Sequence, residues 1–94
     1  MIELAKAMLI KADGTVATHY FGGKMPTLKE MQNLVGGNIE LVRFSNSETM
    51  VVDEEGMQKH KPVNAAAISF LSRNNLAGSF IVGDVFVISN KFLN

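Results

Sequence analysis

Ninety-four residues, 47% of them apolar, provide for one small hydrophobic core and leave no room for a second, so the chain reads as a single domain over 1–94. Nine Lys and Arg balance nine Asp and Glu. That leaves neither the cationic excess that binding phosphate backbones demands nor the acidic excess of a DNA mimic, and it disfavours nucleic acid as a partner. The absence of cysteine excludes disulfides, thiolate metal sites and a cysteine nucleophile, and it fits a reducing compartment.

The opening Met1-Ile2-Glu3-Leu4 has no basic region ahead of a long apolar run, and no apolar run is long enough to cross a bilayer. The expected location is therefore the cytoplasm, without membrane contact. Ala7-Met8-Leu9-Ile10 and Val16-Ala17-Thr18-His19-Tyr20-Phe21 flank Lys11-Ala12-Asp13-Gly14-Thr15. Asp13-Gly14 suits a type I′ turn, so the pair predicts a β-hairpin. Gly22-Gly23-Lys24-Met25-Pro26 breaks the second strand. Thr27 and Glu30 then form a capping box, and Leu28, Met31, Leu34 and Val35 share one face of a short helix that ends at Gly36 or Gly37.

Ile39 to Phe44 reads as a strand with apolar residues on both faces, hence covered on both sides. Ser45-Asn46-Ser47 is a turn, Thr49 to Val52 a returning strand, and Asp53-Glu54-Glu55-Gly56 a polar turn. Met57 to Pro62 is the least structured stretch. Asn64 N-caps a second helix from Ala65 to Asn74, with Ile68, Phe70 and Leu71 toward the core. Finally, Phe80-Ile81-Val82 and Val85-Phe86-Val87-Ile88 flank Gly83-Asp84 as a second tight hairpin. The expected fold class is α+β: about six short strands, mainly antiparallel, packed against two short helices in the order ββαββαββ.

The motifs that announce common chemistries are missing. There is no nucleophile elbow, no P-loop and no dinucleotide fingerprint. His19 and His60 are far apart and lack metal-ligand spacing. Asp53, Glu54 and Glu55 stand side by side, yet adjacent carboxylates in a turn are ordinarily solvated, and no EF-hand spacing follows. No metal or cofactor is expected. Glu40 lies in a strand that the pattern covers, where a carboxylate needs a partner or a raised pKa. A sheet-edge carboxylate paired with a lysine is the simpler reading. Lys59 and Lys61 precede the helix start at Asn64, where backbone donors and cations together suit an anion or a nucleotide phosphate.

Leu34-Val35-Gly36-Gly37-Asn38-Ile39-Glu40, Val51-Val52-Asp53-Glu54-Glu55-Gly56, Pro62-Val63-Asn64 with Ala66, and Ile81-Val82-Gly83-Asp84-Val85 occur in that order after Leu9-Ile10-Lys11-Ala12-Asp13-Gly14. Together they resemble the domain of unknown function thirty-eight forty-six over almost the whole chain. The Gly-Gly-x-Ile-Glu and Pro-x-Asn pieces are its more specific marks. Asn38 departs from the pattern, which favours an aromatic residue there. The resemblance implies a bacteriophage or mobile-element origin, hence a host-cell cytoplasm, and supplies no activity and no catalytic residues.

Two function classes follow. The favoured one is a non-catalytic accessory protein that binds a small ligand, a nucleotide included, or a host protein. Its candidate contacts are Glu40, Asp53, Glu54, Lys59, Lys61 and Asn64. The alternative is a small hydrolase, metal-assisted or not, with Glu40, Asp53 or Glu54 as base. A domain this small and this apolar also gains burial cheaply by homo-oligomerising.

Overall fold

The computed structural model describes residues 3–93, so the opening Met1-Ile2 lies outside the described residues. β1 (Lys6–Ile10) and β2 (Val16–Tyr20) form the first hairpin, in the register Ile10 opposite Val16 and Lys6 opposite Tyr20. The turn is not type I′. Only Gly14 takes a positive φ, 93°, and the loop is the three residues Ala12-Asp13-Gly14, closed by Lys11 N–H to Thr15 C=O at 2.9 Å and Gly14 N–H to Lys11 C=O at 2.9 Å. This is the loop in which a glycine follows a tight turn as a bulge, and it needs one left-handed residue instead of two. Asp13 holds it by accepting from the Thr15 N–H and hydroxyl.

α1 (Leu28–Val35) starts on the predicted capping box and stops at Gly36, whose φ is 82°. It buries Met31 and Val35, half-buries Leu34 and leaves Leu28 exposed. β3 (Ile39–Arg43) and β4 (Glu48–Asp53) form the second hairpin, α2 (Ala65–Arg73) follows, and β5 (Val85–Ser89) runs into a single 3-10 turn at Asn90–Phe92. The sheet order is β2-β1-β5-β4-β3, and every pairing is antiparallel.

The fold is α+β, with five strands among the described residues instead of six. The predicted strand Phe80-Ile81-Val82 makes only one bridge, Val82 to Val63, and Gly83-Asp84 is no hairpin turn. The segment instead crosses the start of α2, through Asn64 N–H to Ile81 C=O and Gly83 N–H to Pro62 C=O, both 2.8 Å. Asp84 reaches away to accept from Ala12 N–H at 2.9 Å. Nor is β3 covered on both sides. It is an edge strand with Glu40, Leu41 and Arg43 exposed, and its apolar residues on both faces serve two different cores.

Those cores lie on opposite faces of the sheet. One gathers Phe21, Met31, Val35, Val51, Phe86 and Ile88 under α1. The other gathers Ile10, Met50, Val52, Leu71, Val85 and Val87 under α2, with Ile68 and Phe70 only partly buried. Strand alternation explains the split, because Phe86 and Ile88 point one way from the central strand while Val85 and Val87 point the other. Among the described residues, no helix is long and apolar enough to cross a membrane.

Candidate functional site

Asp53 ends β4 on the α1 side, opposite Ile39, and its side chain is 1% exposed. Met57 to Pro62, expected as the loosest stretch, is a run of bonded turns: Lys59 N–H to Glu55 C=O, His60 N–H to Met57 C=O and Lys61 N–H to Gly56 C=O. His60 takes a φ of 57° within it. These turns aim both lysines at Asp53. Lys59 Nζ lies 2.9 Å and Lys61 Nζ 2.7 Å from Asp53 Oδ2, while Oδ1 accepts from Glu55 N–H at 2.9 Å.

Both ammonium groups also cap α1. Lys61 Nζ donates to Val35 C=O at 2.6 Å and Lys59 Nζ to Gly36 C=O at 3.1 Å. The last turn of α1 carries no basic residue of its own, so a remote segment supplies the positive charge that the helix C-terminus favours. The two glycines make room for this knot. A Cβ on Gly37 would collide with Lys59 Nζ and stand 2.8 Å from Asp53 Oδ1, and one on Gly36 would stand 2.9 Å from Lys61 Nζ. Burial raises the Asp53 pKa, but hydrogen bonds from Lys61, Lys59 and the Glu55 N–H, with the Lys61 charge, outweigh it and hold the pKa at about 2.

Asn64 is fully buried and fully engaged. Its Oδ1 accepts from Ala67 N–H at 2.9 Å, and its Nδ2 donates to Ile10 C=O at 3.0 Å and Gly83 C=O at 2.8 Å. One side chain therefore caps α2 and ties it to the end of β1 and to the entry of β5. Of the six candidates, the fold brings Asp53, Lys59 and Lys61 together and spends them on one another. Glu40 is exposed on the edge strand, on the face opposite Asp53, and joins no ion pair among the described residues, so neither the buried carboxylate nor the lysine-paired one is found. Glu54 is exposed beside the knot and takes no part in it. No three His, Asp or Glu side chains converge as a metal cage among the described residues.

A broad concavity lies elsewhere, at the opposite end of the sheet on the α2 side. It is a groove of about 510 Å³. The strand register sets Tyr20 beside Lys6 and Ser89 beside Glu48 in its floor, with Thr18–Met8–Val87 as the adjacent row, Phe70 of α2 along one side and Lys91 at the end. Tyr20 is 61% exposed. Lys91 makes a loose contact with Glu3, 3.4 Å between two well-exposed side chains, and lies over the Phe92 ring. The groove thus combines the rings of Tyr20, Phe70 and Phe92, the cations Lys6 and Lys91, the hydroxyls of Thr18, Tyr20 and Ser89, and the Glu48 carboxylate.

None of the six sequence candidates lines this groove. Its residues come from β1, β2, β4, α2, β5 and the final turn, so no local spacing announces them. The one available signal is the alternation Lys6-Met8 and Thr18-Tyr20, which assigns those four side chains to one face once the hairpin register is known.

Asn38 is exposed and accepts a hydrogen bond from Gln32. No curated protein and no solved structure matches this chain. The model of the family described as Domain of unknown function (DUF3846) matches residues 5–91, nearly the entire chain, and the protein belongs to that family.

Proposed function

We propose that this protein is a non-catalytic accessory protein of a phage or mobile element that binds a small anionic ligand with a flat ring face, a nucleotide being the best fit, in the groove over Lys6 and Tyr20. The observation that carries the reading is Tyr20 paired with Lys6 across the first hairpin, with Ser89 lining the same groove, which sets a stacking surface beside a cation and a hydroxyl. A groove of about 510 Å³ lies within the ordinary range of small-molecule sites. Lys6 forms no ion pair among the described residues, so its charge is available to a phosphate.

The hydrolase reading loses its best base. A carboxylate held at a pKa of about 2 by two lysines accepts a proton poorly at neutral pH, and Glu40 stands on the other face of the sheet. The test is native mass spectrometry of the protein mixed with linear and cyclic nucleotides, with and without a chelator. The expected result is a stoichiometric adduct that survives chelation and releases its nucleotide intact. Turnover of the nucleotide would return the enzyme reading. No adduct with any nucleotide, together with a specific protein recovered by pull-down, would replace the ligand with a host protein.

A further inference from the structure

We infer that β2 is a self-complementary edge through which two copies of this chain join their sheets. The bond from Phe21 N–H to Ala5 C=O fixes the ladder phase. Ala17, His19 and Phe21 turn their backbone groups toward β1, so Val16, Thr18 and Tyr20 turn theirs outward. Among the described residues, nothing pairs with that outer row. Natural edges are normally blunted by lysine, proline, a bulge or an inward charge, and the five residues from Val16 to Tyr20 contain none of these.

A two-fold axis through Thr18 gives an antiparallel register in which every side chain meets a suitable partner. Thr18 faces the second copy's Thr18, Val16 faces its Tyr20, and Ala17 faces its His19. Threonine pairs and aromatic–β-branched pairs are among the favourable cross-strand combinations, and no charge opposes another. Reciprocal backbone hydrogen bonds form at Thr18 and at both Val16–Tyr20 crossings, the usual source of affinity in strand addition.

The pairing also fills space. Val16, 57% exposed, borders a cavity of about 340 Å³ between the first hairpin and α2, lined further by Met8, Ile10, Ser69, Phe70 and Arg73. The second copy's Tyr20, directly opposite Val16 and on the same face, covers Val16 with its ring edge at the mouth of that cavity and leaves its ring face over its own groove. The other edge fits less well. A two-fold about Leu41 on β3 would set the exposed Glu40 beside Val42 and Arg43 beside Ile39.

Sedimentation velocity from micromolar to millimolar protein tests the inference. The wild type is expected at twice the chain mass. Thr18→Lys, which sets two ammonium groups face to face at an exposed position, is expected to abolish the dimer while keeping the circular dichroism spectrum. Leu41→Lys is expected to leave it intact. The chain has no cysteine, so Thr18→Cys under mild oxidation is expected to give a covalent dimer. A wild type that is monomeric throughout, a dimer that persists in Thr18→Lys, or a dimer lost in Leu41→Lys would overturn the inference.

Discussion

The two ends of this sheet treat their polar residues in opposite ways. At the end marked by Ile10, Asp53 and Val85, the polar side chains of the ion knot and of the helix start are committed: Asp53 to two lysines, the lysines to the last carbonyls of α1, Asn64 to three backbone groups and Asp84 to the first hairpin. At the end marked by Lys6, Tyr20, Ser89 and Glu48, the polar side chains border an open groove and hold little of the fold together. Asp53 and its two lysines pair with one another, whereas Lys6 and Glu48 of the groove make no ion pair among the described residues.

Asn64→Ala should break the committed end most severely. It removes the acceptor that caps α2, about 1 kcal/mol, and takes a buried donor from the carbonyls of Gly83 and Ile10, at about 1–3 kcal/mol for a buried group left unmet. A loss of about 4 kcal/mol in urea denaturation is expected, which for a domain this small approaches unfolding. Asp53→Asn comes next. It leaves two ammonium groups facing each other over a neutral amide, and breaking a buried pair costs about 3 kcal/mol. The lysine side chains are 39% and 22% exposed, so water softens their side of the loss. Thermal denaturation should place Asp53→Asn clearly below wild type but above Asn64→Ala; the reverse order would make the ion knot, not the asparagine, the main tie.

Acid sharpens the same contrast without a mutation. The Asp53 pKa is 3.8 when unperturbed and about 2 in the fold. A depressed carboxylate pKa gives stability that is fully present above the unfolded value and is lost as pH falls through the folded one. The contribution is about 2 kcal/mol, present above roughly pH 4 and fading toward pH 2. Asp53→Asn should flatten that part of the stability profile. An unchanged acid limb in the mutant would show that other carboxylates carry it.

How much of this was legible in the sequence follows from which interactions are local. The capping box at Thr27 and Glu30, the stop at Gly36 and the N-cap at Asn64 are contacts within three or four residues, and pattern alone recovers them. Phe80-Ile81-Val82 has strand composition but no neighbour to pair with along its length, since β5 already sits between β4 and β1. Composition carries no information about a vacant place in a sheet. The pair Gly36-Gly37 read as a helix stop, which is half its role; the clearance it gives Lys59 and Lys61 depends on a segment more than twenty residues away. The strand at Ile39 looked buried because its two faces serve two cores, a pattern that edge and interior strands share when helices lie on both sides of a sheet.

The open end should respond in the opposite sense, and here the smallest stability effect carries the largest functional meaning. Lys6 and Tyr20 are exposed and make no ion pair among the described residues. Lys6→Gln should therefore change folding stability by no more than about 0.5 kcal/mol, the ordinary range for surface substitutions. If the groove holds a nucleotide as proposed, the same change should remove a charge-assisted hydrogen bond to its phosphate, a loss of about 1.5–3 kcal/mol or roughly tenfold to a hundredfold in affinity. Titration calorimetry with the nucleotide that gives an adduct reads this directly. Asp53→Asn, at the far end of the sheet, should do the reverse, weakening the fold while the surviving folded protein keeps its affinity. If Lys6→Gln lowers stability and leaves affinity untouched, Lys6 is a structural residue and the two ends of the sheet are not divided as their geometry indicates.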